Sequence, residues 1–548
     1  MKTTLRLALL VALLLGALVF PTTAQDELLS FEAASCEYGG AVKSLEAVDA
    51  LTFRLTLCNP DPALPSKVAF SALGIHPSEY LEATGGGGPE LFQNPVGTGP
   101  YMLENWDLGN ELVLSRNDGY WGEAALEPTA IFRWNSEASQ RLAELQAGTV
   151  DGIDNPGVSE IEIIEGDSNL ALFPRAGTNV FYLGLNNAIA PMDNVNVRQA
   201  IAHAIDRQKI VDDFYPAGSL AATQFMPPVI FGFTPEVEPL AYDPEGARAL
   251  LAAAEAEGVT LPIQLTISYR DVVRGYLPTP GLVAQELQAQ LAEVGIEAEI
   301  VVMESGAFLD AADAGELQLH LLGWGADYPD ATNFLDYHFG AGSSAQFGEK
   351  FPEIVENLTA GAQLADFDAR YPYYVAANTA IRDLVPMVPI AHGGSAVAYR
   401  AEISGNPHSS PLGNEAFSVV EDPSDDNFVW MQNAEPIGLY CADETDGESL
   451  RACEQINEAL LAYEVAGTAV IPSLAVEYSA NEDLTEWTFT LREGVTFHDG
   501  STLDANDVVM SYAVQWVSDH PLHVGRDGNF TYFSAFFTSF ITSDQLAQ

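Results

Sequence analysis

Ile263-Gln264-Leu265-Thr266-Ile267-Ser268-Tyr269, then a helical stretch from Leu282 to Val294, then Ile296-Glu297-Ala298-Glu299-Ile300-Val301-Val302-Met303: this is the stretch whose reading decides the fold. The first and third segments alternate and are rich in β-branched residues, which predicts strands over 262–269 and 296–303. The middle segment carries Leu282, Leu287, Leu291 and Val294 at helical spacing. A further apolar strand is expected from Gln318 to Gly323, ending in Gly323-Trp324-Gly325-Ala326-Asp327-Tyr328. Upstream, 197–214 has helical spacing and 246–257 is Ala-rich and helical. Strand, helix, strand, repeated, predicts an α/β architecture, and in such folds ligands bind at the loops beyond strand ends.

Toward the ends of the chain the pattern changes. Thr52-Phe53-Arg54-Leu55-Thr56-Leu57 alternates as a half-buried strand, and so do Trp487, Phe489 and Leu491. Gly85 to Gly88 reads as a flexible connector. Gly97-Thr98-Gly99 is a fragment of a nucleotide-binding pattern, but Pro100 and Tyr101 lead into a strand and not a helix.

Lys2 and Arg6 precede an apolar run from Leu7 to Phe20, followed by Pro21-Thr22-Thr23-Ala24. This is the pattern of a secretory signal cleaved after Ala24; the run is short for a membrane span, and no later segment reads as one. The expected location is therefore periplasmic or extracellular. Four cysteines in an exported chain permit disulfides. Four cysteines allow three connectivities, of which the local one, Cys36 with Cys58 and Cys441 with Cys453, costs least in chain closure. No Cys-x-x-Cys occurs, so a metal site is not expected there.

The 548 residues are too many for one simple core, and two or three structural units are expected. Composition is that of a globular protein, 47% hydrophobic and 10% aromatic. Lys plus Arg is 22 against 77 for Asp plus Glu, a net charge of −55. That excess excludes nucleic acid as a partner and disfavours an anionic membrane surface. The acidic residues are scattered through the whole chain, as in an adaptation to solubility or salt. Enzyme signatures are missing. None of the His residues is followed by Glu, no Walker loop occurs, and Gly393-Gly394-Ser395-Ala396-Val397 lacks the final glycine of a nucleophile elbow. No catalytic residue, metal or cofactor is assigned.

Asn94-Pro95-Val96-Gly97-Thr98-Gly99-Pro100-Tyr101, with Leu114-Ser115-Arg116-Asn117 and Tyr120-Trp121-Gly122, closely resembles the family 5 solute-binding proteins of ABC importers, the oligopeptide, dipeptide and nickel binders. Val197-Arg198-Gln199-Ala200, Ala204-Ile205-Asp206-Arg207, and the segment from Leu491 to Gly500 with Asp507-Val508-Val509 are similar to the same family. The order differs: the family places the Leu491–Gly500 segment near its start, and here it stands near the end. The chain thus resembles a circularly permuted member.

The resemblance implies a two-lobed periplasmic-binding-protein-like fold (type II) with mixed sheets and an extra subdomain. Residues 97–185 with 386–440 would form lobe I and 186–385 lobe II. The extra subdomain would join 31–96 to 441–548. It implies a binding protein, not an enzyme, acting as a monomer. The protein would capture a small solute, expected to be a peptide, between the lobes and deliver it to permease subunits. Alternatives from other classes are a secreted hydrolase of small acyl or peptide substrates and a solute sensor docking onto a receptor.

In the family's peptide binders, an Asp just after the Gly-Trp strand end takes the peptide ammonium, a position matched by Asp327. A carboxylate facing an ammonium is a sound anchor, whereas the bland role for Asp327 is a helix cap. Gly323, Trp324, Gly325 and Tyr328 belong to the same loop. Glu435 resembles a residue on the opposite lobe's face. His392 stands near the final interlobe crossing, where a structural role is the simpler reading. His498 and Asp499 read as a structural turn.

Overall fold

The computed structural model describes residues 28–547. The expected signal segment, 1–24, lies outside the described residues. Among the described residues three large sheets organise the chain, each with its own apolar core, and no helix is long and apolar enough to cross a membrane.

The decisive stretch builds the six-stranded sheet. Ile263–Arg270 and Ile296–Met303 pair in parallel, Ile263 opposite Ile296 through to Arg270 opposite Met303. The helix Pro280–Glu293 crosses between them and buries Val283, Ala284, Leu287 and Leu291, while Leu282 is exposed. Leu287, Leu291 and Val294 are buried as expected, and only Leu282 departs, its place in the stripe taken by Val283 and Ala284. Leu319–Gly325 lies next to Ile263–Arg270 in parallel and pairs antiparallel with Asn179–Leu185, so the sheet is mixed. The expected helix over 197–214 is two helices, Val195–Ala204 and Arg207–Phe214. The break has a local cause: the Asp206 side chain accepts from the Lys209 amide and starts the second helix as its N-cap.

The seven-stranded sheet is also mixed, in the order Tyr101–Asp107, Glu111–Arg116, Thr129–Trp134, Asn427–Gln432, Gly152–Asp154, Ser395–Arg400, Leu170–Arg175. Its core packs Trp430, Phe417, Phe428 and Tyr399 against one another. The two mixed sheets are the cores of two lobes, and helices cover them. This is the periplasmic-binding-protein-like type II architecture.

Two short crossings join the lobes, one between Leu170–Arg175 and Asn179–Leu185 and the other between Met387–His392 and Ser395–Arg400. They are laced together. Asn179 donates Nδ2–H to the Gly393 carbonyl (2.7 Å) and accepts the Gly393 amide on Oδ1 (2.8 Å). A Cβ at Gly177 would lie 2.0 Å from the Gly393 carbonyl oxygen, so only glycine permits this approach.

The five-stranded sheet draws strands from both chain ends, in the order Ser30–Glu32, Val42–Asp49, Thr52–Leu57, Glu486–Leu491, Ala475–Ala480. Trp487 stands opposite Leu55 and Phe489 opposite Phe53, all four buried. The helix Ala505–Trp516 covers this face, its Tyr512 ring 5.7 Å from that of Phe53. Cys36 is bonded to Cys58 beside the sheet. The four-glycine segment is not a free connector. A Cβ on Gly86 would meet the Leu522 carbonyl at 2.0 Å, and Gly525 donates its amide to the Gly86 carbonyl (2.8 Å), so the loop is packed against the distant chain end.

Candidate functional site

A cavity of about 200 Å³ opens among the loops and helices that connect these sheets. One wall comes from the six-stranded sheet. Strand Leu319–Gly325 runs out at its carboxyl end into Ala326 and Asp327, which line the cavity beside Thr178 of the interlobe crossing. The facing wall comes from Leu412, Gly413, Asn414 and the helix Gly447–Cys453, through Leu450, Arg451 and then Glu454. Phe70, Tyr463 and Tyr532 close it from the third unit.

The Asp327 loop is held by Asn333. Asn333 Oδ1 accepts from the Asp327 amide (2.9 Å) and from Trp324 Nε1 (3.2 Å), while its Nδ2 donates to Asp327 Oδ2 (2.9 Å). Asp327 caps no helix; that bonding falls to Asp330, whose Oδ1 accepts the Thr332 amide and hydroxyl at 2.9 Å each. Among the described residues no cation reaches salt-bridge distance of Asp327. Burial raises its carboxyl above the ordinary value, against the Asn333 bond and the field of Lys67.

Asp330 anchors the same loop from behind. It pairs with Arg370 through two bonds, 2.8 and 2.7 Å, with both side chains fully buried. Tyr374 accepts from Arg370 Nη2 (2.7 Å) and the guanidinium lies 4.9 Å over the Phe231 ring.

The facing wall is set by a buried square of charge. Arg175 pairs with Asp154 (2.9 Å) and Glu415 (2.5 Å), and Arg451 with Asp154 (3.2 Å) and Glu415 (2.8 Å). Arg451 Nη1 also donates to Gln432 Oε1 (3.2 Å). Two cations and two anions cancel, and the Arg451 guanidinium is fully engaged. Burial opposes the Glu415 charge, yet the two guanidiniums bring its carboxyl down to about 2. Glu454 is different: burial lifts it to about 7, against the Ser71 hydroxyl and Arg451. The bond Cys441–Cys453 fastens the helix that carries Arg451 and Glu454. Asp443 accepts the amides of Arg526, Asp527, Gly528 and Phe530 and so fixes the start of Thr531–Phe537, the helix bearing Tyr532.

The other residues singled out from sequence lie around this cavity or apart from it. Trp324 stacks on Tyr337 at 4.4 Å, and Gly323 is buried with Tyr276 where a Cβ would stand. Gly325 is exposed and open. The Tyr328 ring receives the Lys67 ammonium at 4.8 Å and meets the Phe536 ring edge-on. Glu435 accepts from Trp106 Nε1 (3.1 Å) and the Gly109 amide (2.8 Å), which places it at a hairpin away from the cavity lining. His392 sits in the interlobe crossing, its Nδ1 2.7 Å from the Asn179 carbonyl oxygen; burial lowers its pKa to about 4. His498 is bonded to the Gly97 amide and the Gly99 carbonyl. Arg451, Glu454, Tyr463 and Tyr532 were not singled out from sequence.

The sequence motifs also find their physical reason. Glu458 accepts from Thr98 Oγ1 (2.8 Å), Tyr120 Oη (2.7 Å) and Trp121 Nε1 (2.8 Å), joining the Gly-Thr-Gly-Pro and Tyr-Trp-Gly segments. A Cβ at Gly97 would stand 2.2 Å from the Ile456 carbonyl oxygen, so the chain passes too close for a side chain. The family sequence model described as "Bacterial extracellular solute-binding proteins, family 5 Middle" matches residues 19–346 and 469–530. The chain belongs to this family.

Membership makes it an extracytoplasmic solute-binding protein, which binds its solute and does not transform it. Among curated family relatives, the dipeptide-binding protein of Escherichia coli (strain K12) is 31% identical over 385 residues, 69% of this chain and 71% of that protein. Heme-binding protein A of Haemophilus influenzae is 29% identical over 386 residues, 69% of this chain and 70% of that protein. Among solved structures, HbpA2 from Haemophilus parasuis superposes with a TM-score of 0.65 at 30% identity, covering 70% of this chain and 75% of that one. Among the described residues no three His, Cys, Asp or Glu gather as a metal-holding group.

Proposed function

We propose that the protein captures a peptide by its free ammonium end in the cavity between the lobes, with Asp327 as the anchor, and delivers it to the permease subunits of an ABC importer. One observation carries this reading: Asp327 is a cavity-lining carboxylate with one oxygen clamped by Asn333 and no protein cation paired to it. A partly buried carboxylate without a counter-ion favours a ligand that brings one. The E. coli relative is named a dipeptide-binding protein, which supports the peptide class. Trp324 and Tyr328 serve this site by bracing the loop, Gly323 by letting it pass Tyr276, and Gly325 by leaving its exposed face open. His392 acts at the hinge, and Glu435 stiffens the lobe I hairpin.

The proposal includes the division of the chain. The sequence assigns 97–185 with 386–440 to lobe I, 186–385 to lobe II and 31–96 with 441–548 to a third unit. Strands Asn179–Leu185 and Met387–His392 pair within the six-stranded sheet, so the proposed lobe boundary lies at the two crossings, and the third unit unites both chain ends as the product of a circular permutation. The separate family match at 469–530 supports this, as does the pairing of Thr52–Leu57 with Glu486–Leu491.

Asp327→Asn keeps the shape and removes the charge. Losing one partner of a buried charge pair should cost about 2–5 kcal/mol of binding. Calorimetry with a peptide mixture measures it, and unchanged affinity would sink the assignment.

A further inference from the structure

The ligand cavity continues past Glu454. A second cavity of about 180 Å³ shares Asn414, Glu454 and Tyr463 with the first, so Glu454 stands at the junction of the two. Its charged lining is of one sign: Glu454, Glu458 and Glu464, with no Lys, Arg or His. Glu458 is spent on Thr98, Tyr120 and Trp121, and Glu464 is exposed. Glu454 lines both cavities, and among the described residues no side-chain hydrogen bond or ion pair engages its carboxyl, so it retains capacity toward the cavity. The neighbouring cation, Arg451, is committed to Glu415, Asp154 and Gln432. The buried square around it is neutral, so Asp327 and Glu454 are the charges left to a ligand. Tyr532, which lines the first cavity, lies in the field of both.

We infer that Glu454 and the second cavity form a subsite for a basic side chain, so that the solute class is a peptide carrying Lys or Arg beside its free amino end. This rests on the ammonium anchor at Asp327. A carboxylate partly withdrawn from water gains most from a ligand that arrives with the matching cation. A neutral side chain would leave Glu454 to be satisfied by water or a proton, and an acidic one would face the like charges of Glu454 and Glu458.

The test uses the full-length protein stripped of endogenous solute by unfolding and refolding, with two probes, Ala-Lys-Ala and Ala-Leu-Ala, titrated by calorimetry. The expected result is that the lysine peptide binds at least about tenfold more tightly at neutral pH. In Glu454→Gln that ratio collapses to near one; in Asp327→Asn both affinities fall and the ratio persists. Equal affinities in the unmodified protein, or a ratio untouched by Glu454→Gln, overturn the subsite while leaving the anchor standing. Peptides that bind as well when N-acetylated, or no binding by either probe, overturn the anchor and the subsite with it. The comparison on the unmodified protein decides the matter even where a variant fails to fold.

Discussion

Replacing Arg370 by methionine removes one half of a fully buried ion pair and keeps most of the apolar stem. Asp330 would then lose both guanidinium bonds, 2.8 and 2.7 Å, in a place from which water is excluded. Breaking such a pair from one side costs about 3–5 kcal/mol, because a charge is left buried and uncompensated. The lost bond to Tyr374 and the contact over Phe231 add to the same side of the balance. Removing both charges is a different experiment. In Arg370→Met with Asp330→Leu no buried charge remains, and the residual losses are the bonding of Asp330 to Thr332, worth about 1 kcal/mol, together with the Tyr374 bond and the Phe231 contact already missing from the single variant. Urea unfolding followed by tryptophan fluorescence measures both. The single variant should lose about 3–5 kcal/mol and the double variant should recover most of it. A double variant no more stable than the single one would refute the reasoning. So would a single variant within about 1 kcal/mol of the unmodified protein, as for an exposed pair.

Asp336 is buried and its carboxyl is raised by that burial to about 7, from an ordinary 3.8, with Asp330 adding to the shift and Arg370 opposing it. A raised acid makes the folded state hold its proton longer than the unfolded one, so stability falls as pH rises from near 4 through about 7. Asp336→Asn should therefore gain stability over the unmodified protein across that window and level off above it, and a pH series of thermal melts reads the difference. Phe489→Ala, in the sheet that joins the two chain ends, should cost about 3–5 kcal/mol in urea unfolding, because a fully buried ring faces Phe53 there. Non-reducing peptide mapping should recover Cys36 with Cys58 and Cys441 with Cys453, and replacing the first pair by serine should cost roughly 3 kcal/mol.

The α/β class was legible because period-two and helical apolar patterns alternate between residues 262 and 323 and leave one arrangement, a strand layer covered by helices. The same reading misplaced local details for local reasons. A helix pattern runs through Asp206 because the apolar spacing continues on both sides, while the backbone break depends on a single capping carboxylate. Leu282 reads as core by type, but the turn of the helix gives its place to Val283 and Ala284. Of the site, Asp327 could be located, since it follows a strand end in a recognisable loop. Glu454 could not: among 77 acidic residues nothing in the sequence separates one from another, and only burial and the missing partner single it out. Arg451 offered a signal, an arginine inside the acidic stretch from Asp443 to Glu454 and two residues before a cysteine, in a chain with few cations. The facing walls of the cavity come from positions more than eighty residues apart, and their meeting is a property of the sheets.

The central claim is that this cavity holds a peptide by its amino end. Native mass spectrometry of the protein isolated from its own cells, followed by release and sequencing of the bound solute, tests it most directly. The account predicts short peptides with free amino termini, lost from Asp327→Asn. A solute lacking an amine, or N-blocked peptides retained equally by Asp327→Asn, would contradict it.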